Sequence, residues 1–283
     1  MTDDSIKQKP NFYPFINWFS KHVTKEEKLF FLFRFGVLGC FVGHGSWGLI
    51  SKAGWLPFFN VFFIPDNTAY LFMPIIGFLD ILVGLVCFIR PNRIILTWAL
   101  FWTLFTALLR PSAGMGMSEF FERAGNYGVP FAFLFLYGFK NHLTETLSPF
   151  AEISNRKLKG LEFILRLSLF SLLAGHGSLA LFKLSPLLQN HLNFIGWQVN
   201  ALELQLIGLA EIIIGLLVFI KPKAFKLVLF VLIWKLAWEI VFPFAGRPID
   251  ILETIERMGD FIIPAILLLI YKHWPDQVFS IFP

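Results

Sequence analysis

Residues 29–50 read LFFLFRFGVLGCFVGHGSWGLI, and residues 161–182 read LEFILRLSLFSLLAGHGSLALF. Each run is apolar apart from one arginine (Arg34, Arg166), one Glu162 and a Gly-His-Gly-Ser signature at its far end. At about 1.5 Å of rise per residue, such a run reaches about 33 Å, enough to cross a hydrocarbon core of about 30 Å. Further apolar runs lie at 69–89, 93–109, 127–139, 201–220, 224–242 and 261–271. The runs at 127–139 and 261–271 are too short to cross alone. Extended backwards through Ser118–Asn126 and Asp250–Asp260 they reach about 22 residues each, the length of a span. That extension carries charged side chains into the membrane and points to a protein-lined polar interior, because charge facing lipid is costly.

The composition agrees. Of 283 residues, 56% are hydrophobic and 15% charged, against about 45–50% and about 25% in ordinary soluble domains. A soluble enzyme, a disordered chain and a coiled coil are excluded. Eight spans leave no room for a separate catalytic domain of about 100 residues. The net charge of +5 is read as the positive bias of cytoplasmic loops and not as a nucleic-acid surface. Cys40 and Cys87 sit inside apolar runs at different depths, so no disulfide is expected. Residues 1–28 lack the short apolar core and cleavage site of a secretory signal. Within them, residues 12–23 set Phe12, Phe15, Ile16, Phe19 and Val23 at helical spacing, which predicts an amphipathic helix lying on the membrane surface.

The chain is read as a tandem duplication. The Arg34 to Ser46 stretch matches Arg166 to Ser178, and Gly77-x-x-Asp80-x-x-x-Gly84 matches Gly208-x-x-Glu211-x-x-x-Gly215. Glu119-x-x-Glu122-Arg123-x-Gly125-Asn126 matches Glu253-x-x-Glu256-Arg257-x-Gly259-Asp260. The expected organisation is a cytoplasmic tail with the interfacial helix (1–28), a four-helix repeat (29–143), a cytoplasmic linker (144–160) and a second four-helix repeat (161–283). An even number of spans per repeat makes the repeats parallel, unlike inverted-repeat transporters. Lys and Arg number 15 at the boundaries shared with the termini and six at the opposite ones. Both termini are therefore expected in the cytoplasm, outer loops at 51–68, 110–118, 183–200 and 243–252.

A four-span unit opening with Arg34, Leu38, Gly39, Phe41, Gly43 and Gly45 resembles the DoxX-like superfamily. The Arg110, Pro111, Glu122, Arg123, Gly125, Asn126 pattern resembles that of uncharacterised bacterial membrane proteins; the DoxX-like family's lysine after the glycine is displaced here to Lys52 or Lys183. The resemblance covers each half, as though two units were fused. It implies an all-α protein of a bacterial cytoplasmic membrane. Some members are linked to thiosulfate:quinone oxidoreduction and others to non-enzymatic roles. No catalytic residue is carried over.

The ionisable residues define the candidate site. His44 and His176, each between two glycines, are possible axial ligands of one b-type haem; alternatively each hydrogen-bonds a carboxylate or carbonyl in a glycine-lined packing. Glu119, Glu122, Arg123 and Asn126 share a helix face, as do Glu253, Glu256, Arg257 and Asp260, with Glu119–Arg123 and Glu253–Arg257 as i,i+4 pairs. A dinuclear metal site is not expected, because such sites use Glu-x-x-His on facing helices. Lys235 and Glu239 add a pair whose counterparts, Thr103 and Ala107, cannot form one, so the two pockets are not equivalent. Trp102 and Trp234 correspond and are read as packing. Arg110 and Arg247 complete the outer layer. Arg34 with Asp80, and Arg166 with Glu211, are expected as buried structural ion pairs.

These readings lead to a multi-pass membrane redox component. It would hold a quinone, or a haem, in an outer-half polar pocket and meet a membrane or periplasmic redox partner. The alternatives are a non-enzymatic binding or transport protein for a small solute and a scaffold subunit of a membrane complex.

Overall fold

The computed structural model describes residues 23–139, 142–221 and 223–275, except the side chain of residue 242. Among the described residues every regular element is helical. The first half contains α1 (Lys25–Leu49), a 3₁₀ turn (Ala53–Trp55), α2 (Leu56–Asn60), α3 (Asp66–Ile89), α4 (Arg93–Ser112), α5 (Met117–Glu122) and α6 (Ala124–Tyr137). The second contains α7 (Asn155–Leu181), α8 (Pro186–Phe194), α9 (Ala201–Ile220), α10 (Phe225–Ala245), a 3₁₀ turn (Pro248–Asp250), α11 (Ile251–Glu256) and α12 (Gly259–His273). Long and short helices follow the same order in both halves. The surface helix expected over residues 12–23 lies outside the described residues, apart from Val23.

Local sequence explains the helix starts. Thr24 and Glu27 form a capping box on α1, the backbone N–H of Glu27 donating to Thr24 Oγ1 at 3.1 Å and that of Thr24 to Glu27 Oε2 at 2.8 Å. Asn200 and Glu203 do the same for α9, both at 2.9 Å. Each box satisfies two N–H groups that the helix itself leaves open.

Among the described residues six helices, α1, α3, α4, α7, α9 and α10, are long and apolar enough to cross a membrane. The segments expected as spans four and eight differ. Each is broken, at Arg123 and at Arg257, where the backbone leaves the helical region (ψ 11° and 22°). The remaining α6 and α12 have 14 and 15 residues, about 21–23 Å of helix. The break arises because Arg123 and Arg257 terminate one helix while turning their side chains into the opposite half.

Burial sorts the helices into layers. Two-thirds (67%) of the apolar window of α1 and of α7 is buried, against 28%, 22%, 28% and 29% for α3, α4, α9 and α10. Helices α1, α6, α7 and α12 enclose the core, built on Phe33, Phe133, Leu165, Leu169, Ile263 and Leu267. The outer four turn Leu71, Ile75, Phe78, Phe101, Leu206 and Ile233 outward, the surface a lipid phase favours. The halves interlock: α5 of the first packs on α7 of the second, and α11 of the second on α1 of the first.

Candidate functional site

The site grows from the Gly-His-Gly signature. His44 on α1 faces α3, where its Nδ1 lies 2.6 Å from Asp80 Oδ2. His176 on α7 repeats this with Glu211 Oε2 of α9, also at 2.6 Å. Each carboxylate thereby fixes its imidazole through Nδ1 and leaves Nε2 as the nitrogen available for other work. Asp80 and Glu211 are therefore not the partners of Arg34 and Arg166, which corrects the expected ion pairs. Helix register is the reason. Gly45 of α1 crosses α3 at Gly77, which sets Arg34 beside Phe88, eight residues and about 12 Å along α3 from Asp80. The Arg34 guanidinium rests over the rings of Phe88 (4.7 Å) and Phe30 (5.3 Å). Arg166 donates to the carbonyls of Val218 (3.0 Å) and Phe219 and pairs with Glu162 at 3.2 Å.

Between the halves lies a layer of crossed ion pairs. Arg123 pairs with Glu256 of the other half at 2.8 Å, and Arg257 with Glu122. Arg123 Nε also lies 3.1 Å from Glu122 Oε2. All four side chains are buried. Further out, Lys52 pairs with Glu253, and Lys183 lies 3.8 Å from Glu119, again crossing. The expected i,i+4 pairs Glu119–Arg123 and Glu253–Arg257 do not form, because the helix breaks at the arginine and redirects it. Arg110 reaches Glu119 at 3.4 Å. Arg247 stands apart, its side chain 73% exposed and held by Asp250 at 3.2 Å. In the second half only, Lys235 bridges Asp260 (3.1 Å) and Glu239 (3.4 Å), and Arg257 Nε lies 3.7 Å from Glu239.

Two cavities adjoin this layer. A cleft opens in the first half, walled by Phe41, Trp55, Phe58, Phe59, Phe62, Trp102 and Phe105 and floored by His44, Arg110, Arg123, Asn126 and Glu256. Thr103 and Thr106 also line it, but their hydroxyls donate to Ala99 (2.7 Å) and Trp102 (3.0 Å) carbonyls of their own helix. They consequently present methyl groups. Trp55 stacks on His44 with centroids 4.5 Å apart. The second cavity lies over the ion layer and has Lys52, Glu119, Glu122, Arg257, His176 and His191 on its walls. Trp55, Phe58, Arg110, Arg123 and Glu256 border both.

One aromatic donor of the cleft wall is unsatisfied. Trp234 Nε1 donates to Glu211 Oε1 at 2.6 Å, so Glu211 serves both His176 and Trp234. Asp80 is shorter by one methylene and reaches His44 alone. The buried Trp102 Nε1–H has no hydrogen-bond partner. A buried donor left open costs about 1–3 kcal/mol, and the Trp102 side chain is part of the cleft wall. By sequence Trp102 reads as packing; the Asp80/Glu211 mismatch between the repeats is the signal that marks it.

The haem expectation does not fit this geometry. His44 lines the aromatic cleft and His176 the polar cavity, and Trp238 packs edge-on to His176 at 5.4 Å. The two imidazoles cannot flank one iron. Among the described residues no group of three or more His, Cys, Asp or Glu side chains converges as metal ligands would.

His191 on α8, outside the six long apolar helices, is buried. Burial first, then the charges of Arg257 and His176, pull its pKa down to about 4 from the usual value near 6.5. The unfolded chain then binds the proton more readily, so stability is full above about pH 6.5 and declines as pH falls towards 4. Replacing His191→Gln should flatten the acid limb of a melting-temperature profile between those values. An unchanged limb would exclude His191 as its source.

Comparison with family models, with curated proteins and with solved structures yields no match to this chain.

Proposed function

We propose that the chain is a DoxX-like protein of a bacterial cytoplasmic membrane. It crosses eight times as two parallel four-helix repeats, and the first-half cleft binds a quinone. The aromatic cleft beside the unpaired Trp102 N–H carries this reading. A quinone is planar, lipid-soluble and bears two carbonyl acceptors. The aromatic walls suit its ring, and Phe62, 48% exposed on the outer surface, puts one wall within reach of lipid. Trp102 Nε1–H and the Arg110 guanidinium supply donors, and His44 Nε2 joins them when the imidazole is protonated, since its Nδ1–H is given to Asp80. A His44 imidazole held by Asp80 can also pass a proton to a reduced carbonyl oxygen. In this reading the chain is the quinone-handling component of a membrane redox system, its electrons delivered by a partner protein.

Equilibrium binding of decylubiquinone to the purified protein tests the reading. Trp102→Phe keeps the ring and removes the donor, so affinity should fall about three- to tenfold, the worth of one hydrogen bond. No binding by the wild type, or equal binding by the variant, would refute the reading.

The topology follows from the charge bias. The native cysteines are both buried, so single cysteines introduced at Ala53, Asn190 and Lys221, all exposed, report accessibility. An impermeant thiol reagent added outside should label the first two and spare the third. Labelling of Lys221→Cys from outside reverses the orientation.

A further inference from the structure

The two halves build the same frame and fill it differently. Beside Trp102 and Phe105, the cleft wall on α4 carries Thr103, Thr106 and Ala107, and Asn126 closes its floor. The corresponding residues in the second half are Lys235, Trp238, Glu239 and Asp260. Each of these four substitutions adds bulk or charge. Trp238 is 7% exposed, Lys235 and Glu239 0%, Asp260 2%. None of the four lines the polar cavity that touches His176. Trp238 instead joins a closed apolar cluster with Leu188 and Leu192 of α8 and Leu204 of α9. In the first half the ring beside His44 is Trp55, from the turn after α1, and the α4 side of the imidazole is left open. In the second the ring beside His176 comes from α10 itself.

The corresponding tryptophans differ as well. In the first half the Trp102 N–H is open. In the second Glu211 takes the Trp234 N–H, Lys235 is shared between Glu239 and Asp260, and the N–H left without a hydrogen-bond partner is that of Trp238.

We infer that the second half carries a copy of the ligand site occupied by its own side chains, Trp238 standing where the ligand ring lies in the first half and Lys235 where its polar head lies. The chain therefore takes one lipid-soluble planar ligand, and Thr103, Thr106, Ala107 and Asn126 are what keep that one site open. The ligand class rests on the quinone reading; the plugging rests on the side chains alone.

The test copies the first half into the second with Lys235→Thr, Trp238→Thr, Glu239→Ala and Asp260→Asn together. These changes remove one cation and two carboxylates, leaving Arg123–Glu256 and Arg257–Glu122 as two balanced pairs, so no buried charge is stranded. Decylubiquinone stoichiometry is then measured by equilibrium dialysis. The expected result is one equivalent for the wild type and two for the variant. One for each overturns the plugging inference while the quinone reading stands. None for the wild type and one for the variant sinks the quinone reading and, with no open first-half site to copy, the inference as well. None for either rejects both, and two for the wild type overturns the inference. Should the fourfold variant not fold, Thr106→Trp decides. Placing the plug in the first half should abolish its binding with the thermal transition retained, and unaltered binding overturns the inference.

Discussion

Replacing Arg257→Gln should lower the stability of the purified protein by about 3–5 kcal/mol, the usual cost of removing one member of a buried ion pair. The size follows from what is left behind. Glu122 would keep only the Nε contact from Arg123, at 3.1 Å, while Arg123 remains committed to Glu256. Glu239 would lose its second cation and depend on Lys235. The pair joins the two halves, so the loss should appear as weakened association of α5 with α7 as well as a lower unfolding midpoint. Removing both charges, with Glu122→Gln added, should recover much of the loss, since a neutral pair carries no stranded charge. Arg247→Gln, at an exposed pair, should change stability by less than about 0.5 kcal/mol. A double variant as unstable as the sum of its singles would show that the crossed pairs are not coupled.

Much of this architecture was legible in the sequence, because apolar run length and repeated motifs act through helix rise and burial, which are local. The helical membrane class, the long apolar helices and the inequivalence of Lys235 and Glu239 with Thr103 and Ala107 are all visible in residue order. What was not legible is register between helices. Nothing in the sequence places Gly45 on Gly77, and that contact decides that Asp80 meets His44 and not Arg34. Nor does helical spacing reveal a break. Glu119 and Arg123 are four apart and look paired; once the helix ends at Arg123 the guanidinium crosses to Glu256. Trp102 and Trp234 look identical in the repeat. Only the methylene separating Asp80 from Glu211, placed in three dimensions, leaves one N–H satisfied and the other open.

The Gly-His-Gly signature allows the sharpest separation of roles, because its two glycines face different neighbours. A Cβ on Gly45 would stand 2.5 Å from the Gly77 carbonyl oxygen and 3.0 Å from the Ile81 nitrogen, both backbone of α3. A Cβ on Gly43 would stand 2.5 Å from Glu256 Cα, on α11 of the other half. Gly175 repeats that approach to Glu122, at 2.7 Å from its Cα. Backbone cannot swing aside as a flexible side chain does, so either alanine forces helices apart, at a cost of about 1–3 kcal/mol or more for overpacking. The functional consequences should diverge. Gly45→Ala moves α3 from α1, lengthens the 2.6 Å contact of His44 with Asp80 and should weaken quinone binding along with stability. Gly43→Ala displaces Glu256 from Arg123 and should behave like a lesion of the ion layer. Its stability loss should then shrink when Arg123 and Glu256 are already neutralised, whereas the loss from Gly45→Ala should persist in that background. Equal losses for the two glycines in both backgrounds would mean that the signature serves helix packing without distinguishing its two faces.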